Sequence, residues 1–189
     1  MTQKDIPNCF LPVTQLSEKL EKGGLSSLEL IEEYLERIRT HDPNLGAFID
    51  VYEEEARKAA SASDMARASG HIIGPLQGIP VAVKDIIDIE GKITTGGSMV
   101  WKDRRSSLTA TLVRRMVEAG MIVLGKTHTV EFAMGSFGTN QHMGSPKNPW
   151  DLEEHRATGG SSAGTASAVA AGLSPWGIGT DTGGSVRIP

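Results

Sequence analysis

The sequence predicts an α/β fold in which helices cover a mixed sheet. Three observations carry that expectation. Up to about residue 73 the apolar residues recur at helical spacing. From Gly74 onward they fall into short runs separated by glycine turns. Within this second part a strand-like run (81–84), a helical stripe (108–119) and another strand-like run (121–124) follow one another. That order suggests a βαβ element with a parallel pair of strands. The change of pattern divides the chain into a helical segment, 1–73, expected to pack on a core carried by residues 74–189.

The elements are read in order. A first helix is expected near 13–21. Ser26 and Glu29 stand three apart and form a capping box for a second helix over 27–41. Leu28, Ile31, Leu35 and Ile38 then share one face, and Asp42-Pro43 is expected to end the helix. Residues 50–69 are alanine-rich and charged, with Gly70 as the stop signal. Val81 and Val83 alternate with Ala82 and Lys84, so a strand here points Lys84 away from the valines. Leu108, Leu112, Met116 and Val117 form a helical stripe that ends at Gly120, before the apolar run Met121-Ile-Val-Leu124. Residues 162–171, rich in Ala, Ser and Thr, read as a helix stopped by Gly172.

Composition narrows the classes of function. At 189 residues and 39% hydrophobic, the chain can form one domain with a core. A net charge of −4 with no long run of one sign argues against a nucleic-acid-binding surface. Cys9 is the single cysteine, so no internal disulfide exists, as suits a reducing compartment. The start, Met1-Thr-Gln-Lys-Asp-Ile-Pro7, has no apolar segment after its charges and is not read as a signal peptide. No stretch approaches the roughly 20 apolar residues that span a bilayer. The expectation is a cytoplasmic protein without a membrane partner. The five histidines show no metal-ligand spacing, and neither a metal nor a cofactor is expected.

The chemistry concentrates at the end of the chain. Ser161 and Ser185 each follow a Gly-Gly pair, in Thr158-Gly-Gly-Ser-Ser-Ala-Gly-Thr165 and Gly179-Thr-Asp-Thr-Gly-Gly-Ser-Val-Arg-Ile-Pro189. A glycine-rich turn lets backbone N–H groups converge and leaves the next hydroxyl unshielded. Lys84 lies in apolar company, which favours the neutral amine and so a base. Together these suggest a serine hydrolase that uses no histidine. The plainer alternatives are a strand-edge lysine with its amine in solvent and serines that merely cap helices.

Two formal motif matches compete. Gly120-Met-Ile-Val-Leu-Gly125-Lys126-Thr127 fits the P-loop pattern, but its four central residues favour a buried strand over a phosphate-cradling loop. Gly160-Ser161-Ser162-Ala163-Gly164 fits a nucleophile elbow and would make Ser162 the nucleophile. An elbow needs a strand directly before it, and Trp150-Asp-Leu-Glu-Glu-His-Arg-Ala157 does not read as one.

The ordered set of motifs resembles the amidase signature family. The resemblance runs through Gly74-Pro-Leu-Gln-Gly-Ile-Pro-Val-Ala-Val-Lys-Asp85, Thr94-Thr-Gly-Gly-Ser98, Gly125-Lys-Thr-His128, Glu131-Phe-Ala-Met-Gly-Ser136, Asn148-Pro-Trp-Asp151 and the two serine tracts. It implies an α/β/α sandwich with a mixed central sheet, incomplete in this chain. The implied activity is hydrolysis of a small-molecule carboxamide through an acyl-serine intermediate. The implied nucleophile is Ser185, with Ser161 as the proton bridge and Lys84 as the base. Thr182, Gly183, Gly184 and Ser185 would supply backbone N–H groups to the oxyanion. A cis peptide at Gly160–Ser161, an Asp181–Arg187 ion pair, Ser162 as a polar neighbour and Met134-Gly135 as part of a substrate wall complete the implied site.

One departure is visible. Ala163 stands where the family more often has glycine, which suits the first turn of a helix and leaves Ser161 unaffected. Family members are more than twice as long, so the chain is read as an N-terminal piece, inactive or nearly so alone. A homodimer is one expected assembly. The alternatives kept open are the glutaminase subunit of a tRNA-dependent amidotransferase, with its partner subunits, and a fragment without catalysis. Gly125-Lys-Thr-His-Thr-Val130 and Ala163 look more like the stand-alone amidases.

Overall fold

Four strands, β1 (Phe48–Val51), β2 (Pro80–Lys84), β3 (Ile122–Thr127) and β4 (Gly177–Ile178), form one sheet in the order β1-β3-β2-β4. The structure, a computed structural model, describes residues 6–189, so the leader reading of the first five residues lies outside it. β2 runs parallel to β3 and β4, and β1 is antiparallel to β3. The sheet is therefore mixed, and the fold is α/β. Among the described residues five α-helices accompany it: α1 (Val13–Glu21), α2 (Ser27–Leu45), α3 (Glu53–Ala68), α4 (Thr111–Glu118) and α5 (Ala163–Ala170). α5 packs on β2, β3 and β4, while α3 packs on α2 and β3.

Local chemistry explains most boundaries. The Ser26 side chain accepts from Glu29 N–H and the Glu29 carboxylate accepts from Ser26 N–H, a complete capping box. α2 runs past the expected stop, with Pro43 inside its last turn. That correction has a simple cause. A proline this close to the end removes one helical bond, and the chain is closed by other means. Gly46, at φ 63°, donates to Asp42 O, and the Asp42 carboxylate accepts from Ala47 N and Phe48 N. The carboxylate thus steers the chain directly into β1.

Three further expectations are corrected. Residues 48–51 form a strand, so the helix expected from 50 begins at Glu53. α4 begins at Thr111, and its buried residues are Val113 and Met116; Leu108, Leu112 and Val117 are exposed. An eight-residue helix hides only a narrow stripe, and the observed spacing of three fits that stripe equally well. The second strand run extends to Thr127 and takes in Lys126, so the P-loop match is a buried strand and not a phosphate loop.

The core is continuous from helices to sheet. Leu16 and Leu20 of α1 and Leu30, Ile31, Tyr34 and Leu35 of α2 join Ile79, Val81, Ala82, Val83 and Leu124 in one buried cluster. All five residues of β2 are buried, as expected of an inner strand covered on both faces. α5 adds Ala168, and Leu173 follows it into the same cluster.

Gly125 is required where it stands. A Cβ there would run into Asp50 O of β1 and lie 3.0 Å from Val51 Cα. It also sits at the register shift between Val81 and Ala82 of β2. Gly125→Ala is expected to destabilise the fold by about 1–3 kcal/mol through overpacking. Urea denaturation followed by circular dichroism measures this, and an unchanged midpoint contradicts the account.

Candidate active site

Strand alternation separates two buried lysines. Lys84 pairs in register with Thr127, and Val83 with Lys126. The Thr127 hydroxyl meets the Thr165 hydroxyl of α5 at 2.7 Å, so Thr127 and Lys84 face α5. Lys126 points to the opposite face. Its Nζ donates to Asp85 Oδ1 at 3.0 Å and to Thr94 Oγ1 at 2.8 Å. Asp85 also accepts from Thr95 N and from the Thr95 hydroxyl. Lys126 is therefore a fully paired buried charge.

Lys84 has no such counterion among the described residues. Its side chain is 0% exposed, and its Nζ donates to Ser161 Oγ at 2.7 Å and to Thr180 Oγ1 at 2.9 Å. Burial pushes the Lys84 ammonium down from the ordinary 10.5 to about 8, against a weaker opposing pull from the Asp181 carboxylate. A neutral amine is thus accessible near neutral pH.

Ser161 is carried by the turn that enters α5. The Gly160–Ser161 peptide is cis, and Ser161 is fully buried. Its carbonyl accepts from Val130 N and from the Thr129 hydroxyl. A Cβ on Gly160 would stand 2.8 Å from Gly138 N and 3.0 Å from Gly135 O. The loop containing Met134 and Gly135 therefore lies against the Ser161 turn, with Met134 largely exposed. Ser161 does not cap α5; the N-cap is Ser162, and no side chain bonds the helix there.

Ser162 is buried and joins the two serine tracts. Its N–H donates to Ser185 O at 3.2 Å, and its hydroxyl lies 3.4 Å from both Thr180 N and Thr180 O. No strand precedes this turn, since residues 151–162 are irregular. The elbow reading of Ser162 lacks its structural support.

The Ser185 loop is shaped by Asp181. The Asp181 carboxylate accepts from Gly184 N at 2.8 Å, Val186 N at 3.2 Å, and both Nε and Nη2 of Arg187 at 2.9 Å. The Arg187 guanidinium holds the Asp181 carboxyl far below the ordinary carboxylate range. Of the four residues expected to offer N–H groups to an oxyanion, Gly184 donates its N–H to Asp181 Oδ1. Ser185 is half-buried, and its hydroxyl makes no hydrogen bond among the described residues. The structure brings Lys84 and Ser161 into hydrogen-bond contact and ties the Ser185 carbonyl to Ser162, the residue after Ser161; the Ser185 hydroxyl bonds neither Ser161 nor Lys84.

Sequence reasoning missed Thr180, Lys126 and Asp85. Thr180 belongs to the tract read for Ser185, its backbone donors and the Asp181–Arg187 pair. Asp85 adjoins Lys84, but its partner Lys126 becomes visible only through strand register. His128, read for its lack of metal-ligand spacing, is buried just after β3, and burial lowers its pKa.

With this geometry established, the chain compares closely with known proteins. The family model described as Amidase matches residues 29–189, and the chain belongs to that family. The A subunit of glutamyl-tRNA(Gln) amidotransferase from Halorhodospira halophila is 46% identical over 177 residues, covering 94% of this chain and 36% of the relative. The protein of the same name from Cupriavidus necator is 47% identical, covering 93% of this chain and 34% of the relative. Among solved structures, the peptide amidase of Stenotrophomonas maltophilia superposes with a TM-score of 0.87 at 36% identity, covering 95% of this chain and 38% of that one. A 6-aminohexanoate cyclic dimer hydrolase gives a TM-score of 0.85 at 33% identity, covering 96% and 36% of the two chains. This chain thus spans little more than a third of the length of these relatives. No described helix is long and apolar enough to cross a membrane.

Two expected outcomes follow from the lysines. Because the folded pKa of Lys84 lies below 10.5, the unfolded chain binds its proton more readily, and stability rises as pH climbs from about 8 to 10.5. Lys84→Met removes this gain, so the two unfolding curves should diverge over that window; parallel curves refute the burial argument. Asp85→Asn leaves Lys126 buried without a counter-charge and should cost about 3–5 kcal/mol, measurable by denaturation.

Proposed function

We propose that this chain carries the catalytic groups of an amidase that hydrolyses a linear carboxamide to a carboxylate and ammonia or an amine. The observation that carries this reading is Lys84, fully buried without a hydrogen-bonded carboxylate and joined at 2.7 Å to the Ser161 hydroxyl. In this reading Ser185 is the nucleophile. Its proton passes to Ser161 as the Ser161 proton passes to the Lys84 lone pair, and a bond forms from Ser185 Oγ to the amide carbon. Thr182, Gly183 and Ser185 N–H groups receive the oxyanion; one such donor is worth roughly 2.7–4 kcal/mol. The proton then returns through Ser161 to the leaving nitrogen, and water hydrolyses the acyl-enzyme. Met134 and Gly135 line the acyl side of the substrate, and residues 1–73 serve as packing support for this machinery.

A second reading is supported by the relatives. Several at 44–47% identity are named as the A subunit of an amidotransferase, which favours glutamine as the amide and further subunits as partners. Glutamine turnover that appears only when such subunits are added would select it; turnover of simple amides without them selects the stand-alone enzyme, for which a homodimer is the assembly.

Labelling with a serine-directed phosphonate tests the core of both readings, using the full-length gene product that contains these residues. The label should map to Ser185 and vanish in Ser185→Ala. Lys84→Ala and Ser161→Ala should slow it about 10²–10⁴-fold. A label on Ser162, with Lys84→Ala unaffected, would overturn the assignment.

A further inference from the structure

Lys84 touches two hydroxyls, and only one belongs to the proton path. We propose that Thr180 is a positioning residue for the lysine: by accepting an N–H from Lys84 it turns the amine lone pair toward Ser161. The proposal rests on the reading of Lys84 as the base. A neutral amine offers two N–H donors and one lone pair in a tetrahedral arrangement. Ser161 can deliver a proton only if its O–H points at that lone pair. Both N–H groups then need other acceptors, because a buried donor without a partner is costly, and Thr180 takes one of them. Thr180 Oγ1, at 2.9 Å, is the other side-chain acceptor of Lys84 among the described residues.

Thr180 is held firmly enough to do this. Ser162 lies at 3.4 Å from both its N and its O. Before it, a Cβ on Gly179 would fall 2.6 Å from Ser162 Oγ, so the chain passes tightly against Ser162. After it, Asp181 is fixed by Arg187 and the Gly184 and Val186 N–H groups. Ser162 and Asp181 thus immobilise the acceptor, and the acceptor orients the amine. When Lys84 takes the proton from Ser161 it becomes an ammonium with three donors, and Thr180 keeps one of them. The bond to Thr180 is stronger in this charged state, so Thr180 also favours protonation. Asp181 is the charged group acting on Lys84; Lys126 on β3 is turned to Asp85, and α5 presents the Thr165 hydroxyl to Thr127.

The test pairs a direct titration with a rate. The Lys84 side chain is followed by NMR of the 13Cε-labelled protein, and phosphonate labelling is timed at a pH where the amine is neutral. Thr180→Val matches threonine in shape and removes the acceptor. It should lower the Lys84 titration midpoint by about one pH unit and slow labelling about 10-fold or more. Thr180→Ser should restore both. A valine variant with the wild-type midpoint and rate overturns the proposal, even if it melts earlier. So does a serine variant that behaves like the valine one, since the methyl group would then be responsible. Lys84→Ala, run in parallel, separates the two levels. If it labels at the wild-type rate, the base reading falls and this proposal with it. If it labels slowly while Thr180→Val is unaffected, only the role of Thr180 falls.

Discussion

The rest of the site depends on one constraint: among the described residues, Lys84 is buried without a negative partner at hydrogen-bonding distance. A lysine pays for burial by losing charge unless an anion accompanies it. The neighbouring strand shows the other outcome, because Lys126 is equally buried and has Asp85. The pleat keeps the two apart on opposite faces of the sheet. The same sheet therefore holds one lysine as an ion-pair anchor and leaves the other poised to exchange a proton. Asp181, the charged group that acts on Lys84, is itself engaged by Arg187.

The serine turns are positioned by backbone, more than by side-chain packing. Ser161 is held through its carbonyl by Val130 and Thr129, which follow directly from β3. Ser162 links that turn to the Ser185 loop through its N–H. Gly164 allows α5 to come close to the backbone of Ala47 and His128, where a Cβ would clash. The start of α5 is thereby locked against both β1 and the end of β3. Strand order places Lys84, and these short backbone contacts bring the first serine to it.

Much of this was legible in the sequence where the signal is local. The Ser26/Glu29 capping box, the helical face of Ile31, Leu35 and Ile38, and the alternation around Lys84 each lie within a few residues. The glycine-serine tracts are likewise contiguous, and their order carried the family resemblance. What escaped was defined by partners far along the chain. β1 is four residues long and becomes a strand through pairing with β3, far along the chain, as in Phe48 with Thr127. Pro43 is tolerated because Asp42 and Gly46 close the helix around it, which no propensity scale contains. Lys126 falls in the P-loop match, while its actual partner, Asp85, lies in the turn just after the parallel strand β2. Thr180 was overlooked because the tract around it was read for Ser185, its backbone donors and the Asp181–Arg187 pair, and its hydroxyl matters only once β2 has delivered Lys84.

The Asp85–Lys126 pair has a consequence for how the sheet assembles. Lys84 and Asp85 are adjacent, so sliding β2 by one residue would exchange their faces. Asp85 would then arrive beneath α5 beside the serines, and Lys84 would take the place of Val83 opposite Lys126. The misaligned sheet would set two buried amines against each other without a carboxylate and place a carboxylate where an uncharged amine is needed. The ion pair thus works as an alignment key for β2 against β3. The arrangement that satisfies Lys126 is the same one that delivers a lysine, and not its acidic neighbour, to Ser161.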